Sequence, residues 1–286
     1  MDNRLNANQT ASEPPKTFFR SNPVMNRLNK VDAVPTDVKP VSYGRIAVKT
    51  AWFLLVTMVG IMGYLLLSSF VFSADTDVLE FTYNNLKVSA SKMALLAAGG
   101  AVLIAIVTQL MAAFMPRTIP VTGTIYSLSQ GFIISFTVFS LLKGYEYLGL
   151  LALVITIVVV MTMALLYIKR IIKVSKKFVM IITTLFASMV GISLLSFFGY
   201  LIPFTRPFVS SIMGNFGVSV TLTVASIVLA CLFLISDFAV IEHVVENKLP
   251  AKYEWMASFG LVFTVLWIYV KILDLLVKIV GKNSKS

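Results

Sequence analysis

Seven long apolar runs alternate with short polar stretches along the chain, after a polar leader of about 46 residues. Windows of roughly 19 residues place the runs at about 50–72, 92–114, 120–142, 147–169, 178–203, 217–240 and 257–280. An α-helix needs about 20 apolar residues to cross a bilayer, so each run predicts a membrane span. Most connections are short, which favours antiparallel neighbours in a compact bundle. The longest, about 73–91, is polar, with Asp75, Asp77, Glu80, Asn84 and Asn85. The leader carries Pro14, Pro15, Pro23, Pro35 and Pro40 and has little apolar periodicity. The expectation is a disordered basic cytoplasmic tail at 1–46, followed at 47–286 by an all-α integral membrane protein, a seven-transmembrane-helix bundle whose partner is the lipid bilayer. No internal repeat is visible, which weighs against an inverted-repeat transporter.

Composition agrees with that reading. Of the 286 residues 58% are hydrophobic and 13% charged, with a mean hydropathy of +0.88, which excludes a water-soluble globule. The net charge of +11 would point to nucleic acid in a soluble protein, but here it marks topology. Sixteen of the 24 Lys and Arg residues fall on the side of the N-terminus, among them Arg45, Lys49, Arg117, Lys169, Arg170, Lys248 and Lys252. The positive-inside rule then puts the N-terminus in the cytoplasm and, after seven spans, the C-terminus outside. The leader has no short apolar core with a cleavage site, so the first span is expected to act as its own targeting signal. One cysteine, Cys231, and one histidine, His243, exclude a disulfide scaffold and a structural zinc site. No cofactor, metal or nucleic acid is expected. Without a Walker A, a dinucleotide-binding fingerprint, GxSxG or HExxH, neither is an enzyme.

Helices in lipid associate through small residues that let backbones approach. Gly123, Ser127 and Gly131 in the third span form such a pattern, with Gln130 beside them. Gly60 and Gly63, the run Ala97 to Gly100, and Gly191 and Gly199 extend it, although glycine and alanine are common in membrane helices. A mid-span carboxamide is expensive against lipid, so Gln130 should face protein or water.

Three ionisable residues lie well inside the spans: Asp237, Lys271 and Asp274. Each is costly at the bilayer centre and should face the bundle interior or a wet cavity. On the seventh span Gly260, Thr264, Trp267, Lys271, Asp274 and Lys278 share one face at 100° per residue, so that helix belongs at the centre or inner wall of the bundle. A turn centred near Leu249–Pro250 sets Asp237 level with Gly260–Thr264, whereas a turn near Glu254 sets it level with Lys271. In either register Asp237 meets the polar stripe. Glu242 and Glu246, at i and i+4, and Glu254 are candidates for a cytoplasmic mouth that attracts cations, or else form a solvated helix end. Tyr253 and Trp255 read as interfacial anchors.

The block SDFAVIEHVVENKLPAKYEWMASFGLVFTVLWIYVKILDLLVKI, with RSNPVMNRLNK and IPVTGTIYSLSQGFI, closely resembles the bacterial Bax inhibitor-1-like, YccA-type family. The resemblance covers nearly the whole chain after residue 20, and its most specific parts are Asp237-Phe-x-x-Ile-Glu242, Lys252-Tyr-Glu-Trp255 and Phe259-Gly-Leu-Val. It implies a bacterial inner-membrane protein with six helices around a central seventh. Some members are pH-sensitive calcium leak pathways and some interact with a membrane protease. In the calcium-leak members two aspartates, on the sixth and seventh helices, share a proton as the gate. Asp237 matches the first, and the match through Ile268-Tyr-Val-Lys271 puts Lys271 at the second. A lysine there implies an ion pair with Asp237 that closes the pathway. Two functions follow as expectations. One is a cation leak or transport protein for the calcium ion or protons, gated around Asp237; the other is a non-transporting regulator that binds a membrane protease or another membrane protein.

Overall fold

The structure, a computed structural model, describes residues 40–72, 77–83, 86–172 and 174–283. Among the described residues seven helices are long and apolar enough to cross a membrane. They are α1 (Tyr43–Phe70), α2 (Lys92–Phe114), α3 (Ile119–Phe136), α4 (Tyr147–Ile168), α5 (Lys176–Leu201), α7 (Phe216–Glu246) and α8 (Glu254–Asn283), with a short α6 (Arg206–Gly214) between α5 and α7. The start of α1, the α2–α3 turn, the α4–α5 turn and the α7–α8 turn share one end of the bundle, the N-terminal face. The other connections form the opposite face.

Two local features go beyond the hydrophobic pattern. The connection before α2 carries an antiparallel hairpin, β1 (Val78–Tyr83) and β2 (Leu86–Ser91), with Val78 paired to Ser91. Its valine, phenylalanine, threonine and tyrosine favour extended backbone, but a span-length window averages them away. Helix α1 also starts earlier than expected, at Tyr43, inside the stretch assigned to the tail. Its basic first turn is held against the α7–α8 turn, where the Val41 amide donates to the Leu249 carbonyl at 2.8 Å. The rest of the expected tail, residues 1–39, lies outside the described residues.

The seventh span, α8, is central as expected. It packs against α1, α3, α4 and α7, and half of its apolar stretch is buried, against 11% for α5. Phe259, Val262 and Ile268 of α8 meet Leu234 of α7, Phe53 of α1 and Ile119 of α3 in the main core. Helices α1 and α3 approach closely. A Cβ on Gly60 would overlap the Leu128 carbonyl, and one on Gly131 would overlap the Thr57 carbonyl. Only glycine permits that separation.

Candidate functional site

Pro250 cannot donate a backbone hydrogen bond, and the chain turns ahead of it, with Lys248 at φ +48° and the Leu249 amide donating to Val244 at 3.1 Å. The turn is therefore centred near Leu249, which decides the register of α8 against α7. Asp237 lies nine residues before the end of α7, about 14 Å deep at 1.5 Å per residue. Thr264 lies opposite, and its hydroxyl donates to Asp237 Oδ2 at 2.6 Å. Both side chains are buried, 1% and 2% exposed. Among the described residues no Lys, Arg or His forms an ion pair with Asp237.

The expected ion pair between Asp237 and Lys271 is therefore absent. Lys271 stands seven residues beyond Thr264, about 10 Å further along α8, too far to share the level of Asp237. It is half-buried and has no hydrogen-bond or ion-pair partner among the described residues. The other charges of the stripe pair elsewhere. Lys278 donates to Asp274 Oδ2 at 2.8 Å and to the Thr223 hydroxyl at 2.6 Å, while that hydroxyl donates to Asp274 at 2.9 Å. The α7–α8 seam thus has one carboxyl–hydroxyl contact toward the N-terminal face and one charged cluster toward the opposite face.

The three glutamates expected at a mouth have three different settings. Glu254 is 1% exposed and receives Arg45 Nε at 2.6 Å, Lys49 Nζ at 2.7 Å and the Ser42 amide at 3.2 Å. It is a clasp between α1 and α8, not a free mouth group, because Arg45 and Lys49 fall four apart on one face of α1. Lys49 also sits 4.9 Å over the Trp255 ring, which turns that indole toward protein. Glu242 is bound by the Tyr167 hydroxyl, from the end of α4, and at 2.7 Å by Arg170, from the turn that follows it. Glu246 is exposed. Glu242 and Glu246 line a cavity of about 730 Å³ with Tyr43, Tyr167, Arg170 and Phe238. Asp237 does not line it, although its neighbour Phe238 does, with its ring 5.9 Å from that of Tyr167.

The family described as Bax inhibitor 1 like matches residues 8–281. The chain belongs to the Bax inhibitor-1-like family. No curated protein and no solved structure matches it. In this Bax inhibitor-1-like chain the residue that faces the buried aspartate of the sixth span is Thr264 rather than an ionisable group.

The packing residues expected on α3 divide by environment. A Cβ on Gly123 would come within 2.9 Å of the Phe53 and Phe259 rings, and Ser127 is fully buried with an unpartnered hydroxyl among the described residues. Gln130 instead lines a cleft of about 220 Å³ with Tyr126, Phe263 and Trp267. Gly63, Gly99, Gly100 and Gly191 have nothing near their Cβ positions and serve no close approach. Thr223, Tyr167, Arg45 and Lys49 escaped the sequence reading. Threonine is unremarked in an apolar span, and the basic pair was counted only as loop charge. Among the described residues no cluster of three or more His, Cys, Asp or Glu side chains is arranged to hold a metal ion.

Proposed function

We propose that this membrane protein passes cations, calcium or protons, across a bacterial inner membrane along the α7–α8 seam, with Asp237 as the gate and no enzymatic activity. The N-terminal face is the cytoplasmic one on this reading, because it carries the excess of Lys and Arg. The observation that carries the proposal is the setting of Asp237: a carboxyl about 14 Å inside the bundle, held by one threonine hydroxyl and no cation. A neutral carboxyl brings no charge into the apolar core. An ionised one leaves a charge without a counter-ion in an apolar core, so ionisation favours a state in which the seam parts and admits water or a cation. Glu242 and Glu246 would raise the local cation concentration at the cytoplasmic cavity. On this reading the closed seam goes with a neutral Asp237, and flux should rise as Asp237 ionises.

The second reading, a regulator that binds a membrane protease or another membrane protein, is favoured by a different observation. Glu254 and Glu242 are both already held by cations, which leaves Glu246 as the exposed acid at the cavity. Purified protein in liposomes loaded with a calcium dye separates the two. Calcium release that increases with pH, and a flat response in Asp237→Asn, supports the gate; no release from the wild type at any pH supports the regulator.

A further inference from the structure

We infer that Lys271 sets ion selectivity in the α7–α8 seam, slowing divalent calcium far more than protons. The inference rests on the reading of that seam as the cation path.

Lys271 belongs to the face of α8 that packs on α7. Thr264, Asp274 and Lys278 all reach α7: Thr264 donates to Asp237, Asp274 accepts from Thr223, and Lys278 donates to Thr223. At 100° per residue Lys271 falls inside the arc these three define, about 20° from Thr264 and about 60° from Asp274. Along the axis it stands between the two contacts, about 10 Å beyond Thr264 and about 4.5 Å before Asp274, at 1.5 Å per residue. Because α7 and α8 are antiparallel, it is level with about residues 226–230 of α7, where Ser226 and Ala230 are buried and small.

No acid answers the ammonium at that level. Between Thr223 and Asp237 helix α7 has no charged residue, α4 has none, and α5 has none beyond Lys177. Asp274 is held by Lys278 and Thr223, and Lys271 forms no ion pair among the described residues. With Asp274 and Lys278 cancelling, the fixed charges left in the seam are Asp237 and Lys271. Ionised Asp237 attracts a cation to its own level, and the ion then meets Lys271 about 10 Å further on.

The Coulomb barrier raised by a fixed cation grows in proportion to the charge of the passing ion. An ammonium about 6 Å from the path, at an effective dielectric constant of about 40, slows a monovalent cation about tenfold. A divalent ion is slowed by the square of that factor, about a hundredfold. A lysine that served only the packing of the helices would affect both ions alike.

The test uses the full chain in liposomes at one mildly alkaline pH, where Asp237 is ionised on the reading above. One set holds a calcium dye; the other holds a pH dye, with proton entry driven by a potassium diffusion potential. Lys271→Met is expected to raise calcium flux about a hundredfold and proton flux about tenfold, and Lys271→Arg to leave both at wild-type values. Lys271→Gln should behave as Lys271→Met, and it decides the matter if Lys271→Met fails to fold. A rise in calcium flux no larger than the rise in proton flux, or an Lys271→Arg protein that matches Lys271→Met, would overturn the inference while the cation path stands. Absence of both fluxes from the wild type and every variant would overturn the path itself, and the inference with it.

Discussion

Thr264 Oγ1 stands 2.6 Å from Asp237 Oδ2, with both side chains sealed between α7 and α8. That contact joins the two most mutually engaged late helices at a depth where water does not compete. Interhelical hydrogen bonds in membranes contribute about 0.6 kcal/mol on average, but leaving a buried carboxyl without its donor costs about 1–3 kcal/mol. Thr264→Val should lower unfolding stability in detergent by about that amount, and Thr264→Ser should recover most of it. A Thr264→Val protein as stable as the wild type would show that Asp237 finds another donor.

Asp237→Asn tests charge apart from packing. The carboxamide oxygen still accepts from Thr264, so stability should change by less than about 1 kcal/mol. The pH response of calcium release should be lost, because no ionisation remains to part the seam. A stable Asp237→Asn protein that keeps the wild-type pH profile would exclude Asp237 as the sensor.

Glu254 should matter to architecture before it matters to ions. Its carboxylate is buried and receives two cations and one amide, so Glu254→Gln leaves Arg45 and Lys49 short of a partner. The expected loss is about 2–3 kcal/mol, somewhat below that for breaking a fully buried pair, because Arg45 is half exposed. Arg45→Ala alone should cost less than about 1 kcal/mol, and Lys49→Ala more, since Lys49 also covers Trp255. Thermal unfolding of the three variants gives the order.

Two glycines of α1 and α3 should respond in opposite ways to the same methyl group. Gly131→Ala drives a Cβ into the Thr57 carbonyl and should cost about 1–3 kcal/mol, as overpacking does. Gly63→Ala meets nothing within 4 Å and should be neutral or slightly stabilising, since alanine is the better helix former. Unfolding midpoints of both variants in one detergent would test the contrast, and equal effects would contradict the α1–α3 contact.

Glu146, on the opposite face outside the spans, accepts from the Gly144 amide at 2.8 Å, and that bond holds its carboxyl below the usual range. A depressed folded value means the turn gains stability above the ordinary glutamate range and loses it as pH falls through the folded value. Hydrogen exchange at the Gly144 amide should therefore stay protected through mildly acidic pH and open only in stronger acid. Opening within the ordinary glutamate range would show that the bond does not form. Gly144 sits at φ +87°, so Gly144→Ala should remove the protection at every pH.

Seven apolar runs of span length dictate seven helices, because no other backbone satisfies its own hydrogen bonds in hydrocarbon. The polar stripe on the last span likewise announced a central helix, since lipid would not accept it. The cost of charge in lipid marks Asp237, Lys271 and Asp274 as residues that need protein or water around them. It could not choose their partners. Two registers of α8 against α7 were compatible with the sequence, and they differ in whether the turn between them is centred near Leu249–Pro250 or near Glu254.

Tertiary structure made that choice. Placing the turn at Leu249 gave Asp237 a hydroxyl instead of a lysine, left Lys271 without a partner among the described residues, and paired Asp274 with Lys278 and Thr223. It also turned Glu254 from a mouth group into a clasp, by bringing the first turn of α1 across the chain to it, more than 200 residues away in sequence. Periodicity within one helix reports which residues need protein around them, because lipid penalises charge whatever the fold. Which protein group answers that need depends on a neighbouring helix and its axial offset, and a one-dimensional pattern does not encode that offset.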